Sequence, residues 1–291
     1  MLTSHFEHHA LLRAAHKLEA QGVEVQLLPY NSENLVDLEA LEAELTRGSV
    51  RLVAMTAACN VTGKLLPFVE AISIAHRFNS LALIDGAQIA GWWNLDVDQL
   101  GADLFTFAGH KGPQSPWGIG GLYVRPQVSM SCPSASCSVS EPLTRRTPQV
   151  MPGYCDAGSV NLAALAGLHA ACQWLSAAEQ EHRLQRARLL AETFSNAIRQ
   201  FPRATIYHDD PIELKVPTVA INIDGKSAAE VGRQLADNDV IVSAGFQCSP
   251  EAHRALGTEK SGVVRFSFGP SNTEADVERA VHAIMNLDSS S

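Results

Sequence analysis

Apolar positions along this chain follow two alternating periods. Between His9 and Gln21, Leu11, Leu12, Ala15 and Leu18 fall on one side of a 3.6-residue repeat, which predicts a helix. Val23–Leu28 then alternates as a strand does. Asp37–Arg47 is a second amphipathic helix, followed by the apolar run Arg51–Met55, and Phe68–Phe78 is a helix leading into the run Leu81–Ile84. Further strands are expected at Leu104–Ala108 and Gly121–Val124. Strands that alternate with helices in this way predict an α/β fold: a three-layer αβα arrangement around a mostly parallel sheet.

The pattern changes after Arg125. Residues Pro126 to Pro152 are rich in Ser, Pro, Cys and Thr and lack periodicity, which predicts an exposed loop or interface segment. A long helical stretch from Leu162 to about Phe201 follows. Beyond it lie an expected strand Thr218–Ile223, a helix Ala228–Asn238, strands Val240–Ser243 and Val263–Phe268, and a closing helix Glu274–Leu287. Asn272-Thr273-Glu274 is a fitting start for that helix, because a side-chain oxygen caps free amides and an acid suits the positive end. The expected organisation is a large domain over 1–165, connecting helices over 166–201 and a smaller C-terminal α+β domain over 202–291.

Composition narrows the classes. A chain of 291 residues buries a large core, and its net charge of -9 provides no basic stripe for nucleic acid. No apolar run reaches membrane-spanning length and no secretory leader is visible, so the expectation is a cytoplasmic protein with neither a membrane nor a nucleic-acid partner. The six cysteines have neither disulfide-scaffold density nor paired zinc spacing, which predicts reduced thiols, one of them reactive. His5, His8 and His9 cluster, yet no carboxylate or cysteine arrangement completes a metal site around them.

Lys111 carries the first chemical signal. It ends the apolar run Leu104–Ala108, and Asp85 ends the preceding run. A lysine and an acid leaving neighbouring strands on one edge of a parallel sheet can hold two ends of one aromatic cofactor. Pyridoxal 5'-phosphate needs that pair, an amine for its aldehyde and a carboxylate that keeps the pyridine nitrogen protonated. The bland alternatives are a solvated lysine and a helix-capping aspartate.

The strings Asn60-Val61-Thr62-Gly63, Asp85-Gly86-Ala87-Gln88, Ala108-Gly109-His110-Lys111, Gly118-Ile119-Gly120-Gly121-Leu122-Tyr123 and Ala157-Gly158-Ser159-Val160-Asn161 stand in an order that resembles class V aminotransferase-like enzymes. Gly245-Phe246-Gln247-Cys248 and Arg265-Phe266-Ser267 look most like the cysteine desulfurase and selenocysteine lyase group. The resemblance implies a fold-type I pyridoxal phosphate transferase and a homodimer. It implies that Lys111 forms the Schiff base and shuttles a proton, that Asp85 pairs with the pyridine nitrogen, that Gln88 reaches the phenolic oxygen and that His8 stacks on the ring. His110 and Ser159 would help hold the phosphate, Ser159 from the neighbouring subunit, with its hydroxyl in place of the usual threonine. Ala108 stands where many relatives have a phosphate-binding serine. Arg265 would clamp the α-carboxylate of a small amino-acid substrate with Asn60 assisting, since a guanidinium fork matches a carboxylate. Cys248, on a mobile loop, would take sulfur from L-cysteine as a persulfide, leave alanine, and pass the sulfur to an acceptor protein.

One departure from the family is that its members begin with a further segment ending in a Gly-Thr-rich phosphate-binding loop, whereas Met1 stands beyond that loop. The expectation is an N-terminally shortened large domain lacking the principal phosphate cradle, with three readings open: a truncated start, a segment supplied by a partner, or weakened cofactor binding. Other reactions of the same class, a C–S lyase, selenocysteine lyase, epimerase or transaminase, use the same lysine and aspartate. A shortened, non-catalytic partner subunit is the remaining alternative.

Overall fold

The computed structural model describes residues 1–31, 35–130, 143, 155 and 159–287. In chain order its N-terminal half comprises β1 (Leu2–Thr3), α1 (His9–Glu19), β2 (Gln26–Leu27), α2 (Leu38–Thr46), β3 (Leu52–Thr56), α3 (Phe68–Arg77), β4 (Leu81–Asp85), α4 (Val97–Leu100), β5 (Leu104–Ala108) and β6 (Gly120–Val124). Helices α5 (Leu162–Trp174) and α6 (Ala177–Arg199) connect to β7 (Ala204–Tyr207), a 3-10 turn (Ile212–Leu214), β8 (Thr218–Ile223), α7 (Ala228–Ala236), β9 (Ser243–Gly245), α8 (Pro250–Ala255), β10 (Val263–Ser267) and α9 (Glu274–Met285).

The first sheet has the order β2-β1-β3-β4-β5-β6 and is parallel except for β6, which runs antiparallel to β5. Its central strands read as continuous apolar runs because both faces are covered; β3 buries Val53, Ala54, Met55 and Thr56. The second sheet, β7-β8-β10-β9, is antiparallel and packs its own core of Ile221, Val231, Leu235, Val264 and Phe194 against α6, α7 and α9.

Three expected elements differ, each for a local reason. The strand expected at Val23–Leu28 shrinks to Gln26–Leu27, because the Val23 amide turns back to Leu18 O (3.0 Å) after the left-handed Gly22. Val240–Ser243 is likewise not a strand: the Val240 amide closes α7 on Leu235 O (2.9 Å) after left-handed Asp239, and pairing begins only at Ser243. Both are helix C-terminal closures that consume the amide a ladder needs. The long connector breaks in two where Ser176 caps α6 by accepting the Glu179 amide. Thr273 caps α9 in a reciprocal box with Asp276 rather than Glu274. Most of Pro126–Pro152, with Cys132 and Cys137, lies outside the described residues.

Two buried features join the parts. Gly63 (φ 81°) lies against the second unit, where an added Cβ would stand 2.8 Å from Thr218 O, and Val216 N donates to Gly63 O (2.8 Å). Beside it, buried Lys64 donates to Asp210 Oδ1 (2.7 Å) and buried Lys215 to His208 O (2.8 Å). Within the first unit, fully buried Glu7 accepts from Ser4 Oγ (2.5 Å) and from the Thr56 amide (2.8 and 3.0 Å), which ties the loop after β1 to the end of β3. Burial holds its carboxyl proton up to a pKa of about 8, against a smaller lowering by those donors.

Gly63→Ala is expected to destabilise the protein by about 1–3 kcal/mol through left-handed strain and backbone overlap. An unchanged urea midpoint would count against this close approach. For Glu7, the folded state keeps a proton that the unfolded chain loses above pH 4.5, so this group's contribution to stability falls as pH rises from 4.5 to about 8 and is then flat. Glu7→Gln is therefore expected to gain on the parent protein as pH rises through that window, by on the order of a few kcal/mol. Thermal melts showing a pH-independent difference would refute the buried, protonated state.

Candidate active site

Strands β4 and β5 are hydrogen-bonded neighbours with Asp85 opposite Thr106, so the loops after them leave the same edge of the sheet. Asp85 ends β4. Its Oδ1 accepts the Ala87 amide (3.0 Å) and lies 3.4 Å from Thr106 Oγ1, while no described residue donates to Oδ2. The carboxylate is thus a local turn cap and an open acceptor at once.

Lys111 follows β5 through a tight turn in which Ser115 N donates to Gly109 O and Gln114 N to Lys111 O, both at 2.9 Å. Gly112 is packed so closely under Ala90 that a Cβ would stand 2.1 Å from the Ala90 carbonyl. This contact brings the loop after Asp85 against the lysine turn. Arg183 of α6 secures it from behind, donating from Nη2 to Gly112 O (3.2 Å) with its guanidinium between the rings of Trp92 and Trp174. The Lys111 amine has a pKa below its ordinary value: burial lowers it first, Asp85 opposes and Arg265 adds to the lowering. That environment favours a neutral, nucleophilic amine.

His8 is the N-cap of α1, its Nδ1 accepting the Ala10 amide (3.1 Å), so capping fixes the ring and leaves Nε2 to carry the proton. Burial, then the nearby Lys111, depresses its pKa and keeps the ring neutral. A cavity of about 570 Å³ opens between α1 and the strand ends, lined by His8, Thr56, Asp85, Gln88, His110 and Lys111. Apolar Leu11 and Ala14 of α1 and Ala108 of β5 complete its walls. His110 is stacked on Trp117 at 4.2 Å. Ser159 is exposed and lines neither this cavity nor its neighbour, and Ala157 and Gly158 lie outside the described residues.

The neighbouring cavity, about 500 Å³, shares His8, Asn60, Gln88 and Lys111 with the first and is closed on its far side by Cys248 and Arg265. Arg265 enters it from β10. Its Nη1 donates to Asn60 O (2.7 Å), its Nε is buried with no partner among the described residues, and burial lowers its pKa. A half-buried guanidinium with spare donors is a receptor for an anion. Cys248 is exposed at the rim.

Its segment is a hydrogen-bonded turn. Gln247 (φ 42°) and Cys248 (φ 60°) form a tight left-handed turn, with the His9 amide donating to Cys248 O (2.8 Å). The Asn60 side chain is engaged by the same turn, with Nδ2 donating to Gln247 O (2.7 Å) and Oδ1 accepting from Ser249 Oγ (2.6 Å). Sequence reading passed over Glu7, Arg183 and Ser249. Glu7 and Ser249 adjoin noted residues, but nothing in the local pattern announces that either is buried. Arg183 looks like any charge on an amphipathic connector.

The geometry has counterparts in known proteins. The family model described as aminotransferase class-V matches residues 1–280. The cysteine desulfurase CsdA of Escherichia coli K12 is 30% identical over 289 residues, covering 98% of this chain and 70% of that protein. The crystal structure of CsdA from Escherichia coli superposes with a TM-score of 0.86 at 29% identity, over 98% of this chain and 71% of that one. The apo cysteine desulfurase of Thermococcus onnurineus NA1 gives 0.85 at 25% identity, over 98% and 72%. A lysine turn, an open carboxylate and a cysteine-bearing turn around adjoining cavities, on a fold shared along almost the whole described chain, have one reading: the chain belongs to the class-V aminotransferase family of pyridoxal phosphate-dependent enzymes, as a cysteine desulfurase-like member.

Proposed function

We propose that this protein binds pyridoxal 5'-phosphate in the larger cavity and converts L-cysteine to L-alanine, leaving the sulfur on Cys248 as a persulfide. The observation that carries the reading is that Lys111 lines both cavities, with Asp85 in one and Arg265 and Cys248 in the other. The donor set fits the cofactor chemically. Lys111 offers an amine of lowered proton affinity to the aldehyde, Asp85 an open oxygen to the pyridine N–H, neutral His8 a flat ring, and Gln88 an amide for the phenolic oxygen. His110 serves the phosphate, joined by Ser159 from a second copy. Bound there, the cofactor supplies an electron sink for charge developing at the substrate Cα.

The chain's own residues do the rest. Arg265 binds the α-carboxylate through its fork of donors. Lys111, which lines both cavities, would move the proton at Cα. The Cys248 thiolate attacks the substrate sulfur, so that an S–S bond forms while the Cβ–S bond breaks, and the electron pair of that bond goes to Cβ. Of the two thiol protons, one ends on the alanine methyl group and the other on the persulfide. Arg265 lies within electrostatic range of Cys248, so the carboxylate clamp and the attacking sulfur share one cavity. Exposure of Cys248 suits transfer to an acceptor-protein thiol.

A homodimer belongs to the same proposal. Helix α5 is apolar around its circumference, yet Val160, Leu162 (74% exposed) and Leu165 stand in solvent directly after Ser159. A second copy covering this face would bring Ser159 to a neighbouring site.

Added pyridoxal phosphate is expected to produce a visible absorption band that Lys111→Ala abolishes; a band that persists in the variant would assign the linkage elsewhere. Cys248→Ser is expected to keep the band and to lower alanine formation from cysteine by about a hundredfold or more. Undiminished desulfuration in Cys248→Ser would overturn the nucleophile. Leu162→Glu is expected to reduce the light-scattering mass to that of a single chain, and an unchanged dimer would move the interface away from α5.

A further inference from the structure

The turn that presents Cys248 is held in a conformation it would not adopt alone. Gln247 and Cys248 are consecutive non-glycine residues at positive φ, 42° and 60°, a region that L-residues occupy only when their surroundings over-determine it. Besides the His9 amide on Cys248 O and the Gln247 side-chain amide on Ser243 O, two of the bonds that hold it come from one side chain. Asn60 Nδ2 donates to Gln247 O at 2.7 Å and Asn60 Oδ1 accepts from Ser249 Oγ at 2.6 Å, so a single amide grips the turn on both sides of Cys248. Ser249 is fully buried and Asn60 nearly so, which shields the bond between them from water, while the bond to Gln247 O is partly covered. The Asn60 main-chain carbonyl, in turn, accepts from Arg265 Nη1 at 2.7 Å. Asn60 therefore stands between the guanidinium and the thiol, bonded toward both.

We propose that Asn60 is a positioning residue for Cys248: its amide, with Ser249, latches the 246–249 turn, and its carbonyl fixes that turn relative to Arg265. Asn60 thereby links the carboxylate clamp to the attacking sulfur through its own bonds. The amide keeps a second Nδ2 hydrogen, so the latch is compatible with Asn60 also reaching the substrate carboxylate. The catalytic consequence rests on the reading of Cys248 as nucleophile; the structural latch does not.

The latch is tested by the alkylation rate of Cys248 with iodoacetamide in the protein without substrate, resolved from exposed Cys172 by peptide mass spectrometry. Ser249→Ala and Asn60→Ala are each expected to change that rate by about fivefold as the turn opens more often. In desulfuration Ser249→Ala, which leaves the Asn60 side chain in place, is expected to lose about tenfold in kcat with the KM for L-cysteine nearly unchanged, as misplacement of a reacting atom predicts. Alkylation unchanged in both variants overturns the latch. A rise in KM alone in Ser249→Ala, with alkylation and kcat preserved, also overturns it. Ser249→Ala, which removes one hydroxyl, decides the question if Asn60→Ala fails to fold. If cysteine is not a substrate, the alkylation rates still decide the latch, so its failure and that of the desulfurase reading are separable.

Discussion

Gly63 lays its bare Cα against the carbonyls of Val216 and Thr218, and this close crossing is the constraint on which the chemistry depends. Asp85, His8 and Lys111 come from the parallel sheet and its loops, whereas Arg265 and Cys248 come from the antiparallel unit. Neither set alone makes a site for an amino acid. The crossing holds the two sheets' units at backbone distance, and hydrogen bonds from Val216 to Gly63 and from Leu65 to Leu214 extend it as a short ladder. The string Asn60–Gly63 thus has a residue that lines both cavities at one end and the crossing glycine at the other.

Charge around the crossing is arranged to suit burial. Lys64 and Lys215 are both almost completely covered, an arrangement that is expensive unless each ammonium finds acceptors. Asp210 and the His208 carbonyl provide them, while bidentate Arg199–Asp209 pairing at 2.6 Å closes the edge of the cluster. Burial still lowers the Lys215 pKa to about 8, and that of His208 to about 4. His208 is consequently neutral beside two lysines, with its Nδ1 bonded to Thr62 Oγ1 at 3.0 Å. A protonated imidazole there would add a third positive charge to a water-poor junction.

The large-domain strands were legible because a strand covered on both faces must be apolar throughout; β4 and β5 show this, and their ends pointed directly to Asp85 and Lys111. Two-residue strands such as β1 and β2 are too short to show a period, and their place in the sheet is decided by neighbours. The short α4, whose start is capped by Asp96, was passed over for the same reason of length. Arg265 was legible because an arginine within Val263–Phe266 needs an anion. The commitment of Asn60 was not, since its partners Gln247 and Ser249 lie almost 190 residues away in sequence. Long-range hydrogen bonds of this kind leave no local trace.

Glu7 shows how the structure limits the charge near the cofactor cavity. It sits beside His8 and within electrostatic range of Asp85, so an ionised Glu7 would place a second negative charge behind the first. Complete burial resolves this by holding the Glu7 proton up to about pH 8. The carboxyl then works as a neutral brace between Ser4 and Thr56, and the charge facing the cavity is left to the half-buried Asp85. Two carboxyl groups of similar intrinsic acidity are thereby given separate tasks by their surroundings. The same logic governs Lys111, whose amine is lowered by burial but not stripped of its partner, because Asp85 across the cavity opposes the shift.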